Sequence, residues 1–111
     1  MKLTYLAEEL GYVPQCLPDP DGTATCGYTS DLLSDVMGNA PEDSILITVQ
    51  AHKNAVAVAS LAGMKAIVLC SRRTPSQDML DTAEKEGIAI FTTADNQFSA
   101  SWKIARGLSL V

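Results

Sequence analysis

The chain has 111 residues, of which 47% are hydrophobic, and its 13 acidic against 8 basic side chains leave a net charge of −5. That length suits one domain with a real core, and the apolar fraction excludes a disordered chain. With no clustered Lys and Arg, the acidic balance argues against a nucleic-acid partner and against a membrane surface.

No apolar run approaches the roughly 20 residues that span a bilayer. Met1-Lys2-Leu3 leads straight into a polar helix pattern without a signal-peptide core, so the expected compartment is the cytoplasm. The three cysteines, Cys16, Cys26 and Cys70, are odd in number and form no Cys-x-x-Cys. With His52, the only histidine, they are too scattered for a zinc site, so no metal and no cofactor is expected. Cys26 and Cys70 fall in strand-like stretches and read as buried, inert thiols.

Taken in chain order, Thr4 to Leu10 reads as a short helix stopped by a left-handed Gly11. Tyr12 to Leu17 reads as a strand, and Pro14 marks it as an edge or irregular one. Pro18-Asp19-Pro20-Asp21-Gly22 is a strong turn signal, and with Thr23 to Gly27 it suggests a hairpin-like excursion. Ser30 is placed to cap a helix over Asp31 to Met37, ended by Gly38-Asn39.

From residue 44 the pattern alternates. Ile45 to Val49 is a strand, Asn54 to Leu61 a helix closed by Gly63, and Ala66 to Cys70 a second strand. Thr74-Pro75-Ser76-Gln77 has the form of a helix start, with Thr as cap, Pro at the first position and Gln at the third. That helix ends at Gly87, before a third strand, Ile88 to Thr92. A last helix covers Asp95 to Arg106, with Phe98, Trp102 and Ala105 at helical spacing.

Continuous apolar strands alternating with helices point to parallel βαβαβ packing. The expected fold is a single α/β domain over residues 1–111: a mostly parallel sheet with helices on both faces, preceded by a short helix and a hairpin-like segment. Right-handed crossovers would gather the strand-to-helix loops on one edge, where open sheets bind ligands. The residues so gathered are Thr48, Gln50, His52, Lys53 and Asn54 after the first strand. Ser71, Arg72 and Arg73 follow the second, and Thr93 and Asp95 the third.

Helix N-termini and cations at such a rim favour a phosphate or carboxylate. A plainer account also serves: loop ends of α/β folds are polar anyway, and Thr74 and Asp95 could simply cap helices. His52 could be a base, a ligand contact or a local helix-start partner, and as a base its only orienting carboxylate would be Asp95. Asp31 and Asp35, one turn apart, could hold Mg²⁺ or Ca²⁺. Alternatively Asp31 favours the helix dipole while Leu32, Leu33, Val36 and Met37 pack inward. No phosphate-cradling Gly-x-x-x-x-Gly-Lys, no Gly-x-Gly-x-x-Gly and no Gly-x-Ser-x-Gly occurs, so no catalytic residue is assigned and no enzyme is expected.

Gly27-Tyr28-Thr29-Ser30-Asp31-Leu32-Leu33-Ser34-Asp35-Val36-Met37, followed by Ile47-Thr48-Val49-Gln50-Ala51-His52-Lys53-Asn54, resembles the small stand-alone DRTGG-domain proteins of anaerobic bacteria. Ala66-Ile67-Val68-Leu69, Gly87-Ile88-Ala89-Ile90 and Asp95-Asn96-Gln97-Phe98 extend the resemblance over essentially the whole chain. It implies an α/β domain akin to the N-terminal domain of HPr kinase/phosphorylase, regulatory and interaction-forming, often at a homodimer interface. The name-giving Asp-Arg-Thr-Gly-Gly is absent, and Gln50-Ala51-His52 stands where larger relatives carry Gly-Asp-Arg. The resulting expectation is a non-enzymatic regulatory domain that binds a small phosphate- or nucleotide-like anion, forms a homodimer, or docks on a partner protein. The alternatives are an accessory subunit in a redox (hydrogenase-like) or signalling complex, and a small enzyme using His52 with Asp95.

Overall fold

The computed structural model describes residues Met1–Val111. Its elements are α1 (Tyr5–Glu8), β1 (Val13–Cys16), β2 (Cys26–Thr29), α2 (Leu33–Asn39) and β3 (Ser44–Thr48). They continue with α3 (Lys53–Leu61), β4 (Ala66–Leu69), α4 (Gln77–Glu86), β5 (Ala89–Thr92) and α5 (Gln97–Gly107).

Every residue of β3 and β4 is buried. Such strands must be covered on both faces, which is why they read as unbroken apolar runs. Ile45 and Ile47 pack with Leu6, Phe91, Ala100 and Ile104 under α1 and α5. Leu46 points the other way, joining Val36, Val56, Met79 and Ile90 under α2, α3 and α4. The sheet order is β1-β5-β4-β3-β2, with β2 to β5 mutually parallel and β1 antiparallel on β5. The α/β class, the parallel βαβαβ core and the helices on both faces thus stand as the patterning predicts.

The hairpin-like excursion is corrected. β1 pairs with β5 and β2 with β3, at opposite edges of the sheet. The chain after the Pro18–Gly22 turn instead meets the N-terminus: the Ala24 amide donates to the Met1 carbonyl at 2.8 Å, and the Met1 ammonium donates to the Ala24 carbonyl at 2.9 Å. A turn signal shows where the chain reverses but not which strand it returns to. Pro14 does mark an edge strand, and the β1 register shifts between Pro14 and Cys16.

Three helix starts also move. Ser76, not Thr74, caps α4, its hydroxyl accepting from the Met79 amide at 3.1 Å. This frame buries Met79 and Ala83 one turn apart and leaves Thr74-Pro75 in the loop. Asn96, not Asp95, caps α5, accepting from the Ser99 amide at 2.9 Å. α2 begins at Leu33, with Ser30 and Asp31 outside it, and Leu32 and Met37 stay exposed while Val36 is buried. On α5 the sheet-facing residues are Ala100 and Ile104, whereas Phe98 is 80% and Trp102 47% exposed.

Cys70 is buried just beyond β4, Cys26 and Cys16 are half-buried, and all three are free thiols. No helix is long and apolar enough to cross a membrane.

Gly87 closes α4 at φ 71°, and a Cβ there would meet nothing within 4 Å. The cost of Gly87→Ala is therefore backbone strain alone, about 1 kcal/mol of stability. Gly87→Asn should recover part of it in urea titrations, because Asn tolerates the left-handed region.

Candidate functional site

Two carboxylates organise the carboxyl edge of the sheet. Asp31, released from α2, reaches over the end of β3. Its Oδ1 accepts from the Thr48 hydroxyl at 2.8 Å, the Val49 amide at 3.0 Å and Gln97 Nε2 at 3.0 Å. Gln50 Nε2 donates to the Asp31 carbonyl at 2.9 Å. Partial burial would raise the Asp31 pKa. The bonds from Val49, Thr48 and Gln97, with the nearby Arg73 charge, outweigh it and hold the carboxyl below its ordinary value. Asp35 belongs to a different network, accepting from Tyr28 Oη at 2.9 Å and Asn39 Nδ2 at 3.0 Å. The two aspartates do not act as a pair, and the helix-dipole role for Asp31 falls with its position outside α2.

Asp95 Oδ2 accepts from Lys103 Nζ at 2.8 Å and from Tyr12 Oη at 2.8 Å. The Lys103 bond dominates and keeps the Asp95 carboxyl below the usual range; burial and the Asp95 contact push the Tyr12 phenol well above its own. Burial, reinforced by the Asp95 and Asp31 charges, raises the Cys70 thiol to about 11, which suits an inert thiol rather than a nucleophile.

The loop after β4 is unusual. Ser71 and Arg72 both adopt left-handed backbone, φ 58° and 60°. Each such non-glycine residue costs on the order of 1 kcal/mol and persists only where its surroundings hold it. Here the Ser71 amide donates to the Asp95 carbonyl at 2.8 Å and the Arg72 amide to the Thr93 carbonyl at 3.0 Å. The β5–α5 loop is therefore the brace for the β4–α4 loop.

This brace sets Arg72 and Arg73 on the wall of a cleft of about 340 Å³. Thr92, Thr93 and Ala94 at the end of β5 form its middle; Val13 and Gln15 of β1 line one side, and Leu80 of α4 with Thr74-Pro75 also contributes. Gln15 Nε2 donates to Thr92 Oγ1 at 3.1 Å. No carboxylate lines this cleft. The structure's two ion pairs, Lys65–Asp43 and Lys103–Asp95, use neither arginine.

Of the ten candidate residues, Arg72, Arg73 and Thr93 come together in the cleft. Thr48 and Gln50 are spent on Asp31, and Ser71 and Asp95 brace the loop from behind. His52, Lys53 and Asn54 are exposed at the start of α3 and do not line it. His52 holds the cap position through its backbone, its carbonyl accepting from the Ala55 amide at 3.0 Å, while its side chain makes no capping bond. It makes no hydrogen bond to Asp95, which Tyr12 and Lys103 engage instead, so the His52–Asp95 pair is not assembled.

Sequence reasoning missed Val13, Gln15, Pro75 and Leu80. The β1–β5 pairing that brings the first two to the cleft has no local signal. Thr92 ends β5 and Ala94 lies in the loop after it, at the edge where the parallel topology does place them.

No protein-family model matches the chain, and no curated protein matches it. Among solved structures, it is similar to the crystal structure of the CBS and DRTGG domains of the regulatory region of Clostridium perfringens pyrophosphatase, complexed with its activator diadenosine tetraphosphate. The TM-score is 0.73 at 17% sequence identity, over 91% of this chain and 44% of that one, so the chain spans less than half of that structure. At such identity the likeness speaks for the fold, and it supports a DRTGG-like α/β fold without bearing on a relationship to HPr kinase.

Proposed function

We propose that this chain is a regulatory, ligand-sensing domain with no chemistry of its own, and that the Arg72–Arg73 cleft takes a small anionic ligand. One observation carries the reading. In a chain with 13 acidic and 8 basic residues, two guanidiniums that form no ion pair within 4.0 Å share a cleft lined by no acid. A guanidinium so placed has its fork of donors free for carboxylate or phosphate. The similar pyrophosphatase structure, a regulatory region complexed with a nucleotide activator, supports a nucleotide-like member of that class.

Thermal shift with phosphate, AMP and ATP tests it. A ligand at a hundred times its Kd stabilises by about 2.7 kcal/mol, which for a domain of this size is a rise of roughly 12 °C. The double variant Arg72→Ala/Arg73→Ala should lose the rise while still unfolding in one cooperative transition. No shift with any anion would end the reading.

A second reading, a homodimer or an accessory subunit docking on protein alone, draws on the exposed Phe98 and Trp102 of α5, four residues apart on one helix face. Sedimentation at micromolar concentration tests the homodimer: a monomer, unchanged by ligand, removes it.

A further inference from the structure

The sheet order β1-β5-β4 gives the cleft two chemically different sides. On the β4 side stand Arg72 and Arg73. On the β1 side stand Val13, 53% exposed on its edge strand, and Gln15. Leu80 lines the cleft from α4, and β5 forms the floor between the two sides.

Charge decides what the first side takes. A single carboxylate would leave one of two adjacent guanidiniums unmatched, whereas a phosphomonoester brings about −1.5 to −2 at neutral pH and three acceptor oxygens. Thr93, whose Oγ1 accepts from the Asp95 amide at 3.1 Å, lines the same cleft. Size and polarity decide the second side. A volume of about 340 Å³ is in the range of small-molecule sites and far exceeds what inorganic phosphate occupies. The exposed Val13 and half-buried Leu80 are surface that an apolar group would remove from water.

We infer that the ligand is a phosphomonoester of a small, partly apolar organic group, its phosphate between Arg72 and Arg73 and its organic group against Val13 and Leu80. This rests on the anion-sensing reading above and narrows it. Calorimetric titration of the intact chain with phenyl phosphate, methyl phosphate, inorganic phosphate and phenyl sulfate tests both levels separately.

Phenyl phosphate should bind about fivefold or more tightly than methyl or inorganic phosphate, and about tenfold more tightly than singly charged phenyl sulfate. Val13→Ser should bring phenyl phosphate close to methyl phosphate while leaving methyl phosphate unchanged. Arg72→Ala/Arg73→Ala should abolish all four, with a native circular dichroism spectrum and a cooperative melt confirming an intact fold. If methyl phosphate or phenyl sulfate binds as well as phenyl phosphate, the ligand class is wrong and anion sensing survives. If none of the four binds, both fall.

Discussion

Replacing Asp31 with alanine is expected to lower stability by about 2 to 3 kcal/mol, a melting point depressed by roughly 9 to 13 °C. Three donors converge on its Oδ1, and one of them, Thr48, is completely buried at the end of β3. Alanine leaves that hydroxyl without its acceptor and frees Gln97 at the start of α5. The carboxylate itself is exposed, so water takes over part of what is lost, and three full charge-assisted bonds would overstate the effect. Asp31→Asn retains an acceptor oxygen and should keep more than half of the stability. Urea titration of both variants separates the loss of the bonds from the loss of the charge. Equal stability of Asp31→Ala and the parent would show that the strand ends do not depend on this residue.

Asp95 provides the second large effect, and it depends on pH. Its folded pKa, like that of Asp31, lies below the unfolded carboxyl value of about 3.9. As pH falls, the unfolded chain takes up these protons first, so the stability they contribute is complete above about pH 4 and drains away below it. Asp95→Asn should cost about 1 to 2 kcal/mol at pH 7, where Lys103 loses its ion-pair partner and Tyr12 keeps only a neutral acceptor. By pH 3 the gap between parent and variant should narrow, because the parent's unfolded chain by then binds a proton at this carboxyl, which asparagine cannot do. A gap that stays constant from pH 7 to pH 3 would contradict the charge-based account. Because Asp95 also accepts the Ser71 amide through its carbonyl, the variant changes the side-chain brace while leaving the loop's backbone brace in place.

The residues from 44 onward declare their structure locally. Strands buried on both faces leave long apolar runs, and Gly63 and Gly87 close helices at positive φ as their spacing suggests. Helix starts were less legible. Thr74-Pro75-Ser76-Gln77 offers two capping hydroxyls, and the choice falls to Ser76 because its frame buries Met79 and Ala83, a tertiary preference. Asp31 looked like a first-turn helix residue for the same reason: Ser30 is a competent cap, yet its hydroxyl accepts from the nearby Leu32 amide at 3.2 Å and the helix waits until Leu33. At the site, the parallel topology brought Arg72, Arg73 and Thr93 to one edge. What it could not supply was the far wall. Val13 and Gln15 get there through an antiparallel pairing between segments near opposite ends of the chain, which no spacing or periodicity announces.

That pairing has a consequence in time as well as in space. During synthesis β1 is made before its partner β5, which follows only after six further elements and their loops. Until then the Val13–Cys16 segment has no strand to join, while β2, β3 and β4 can already form their parallel ladder. Long-range closure of this kind comes late because its loop entropy must be met before its contacts form. The cleft is therefore complete only once β5 has been made and β1 has paired with it.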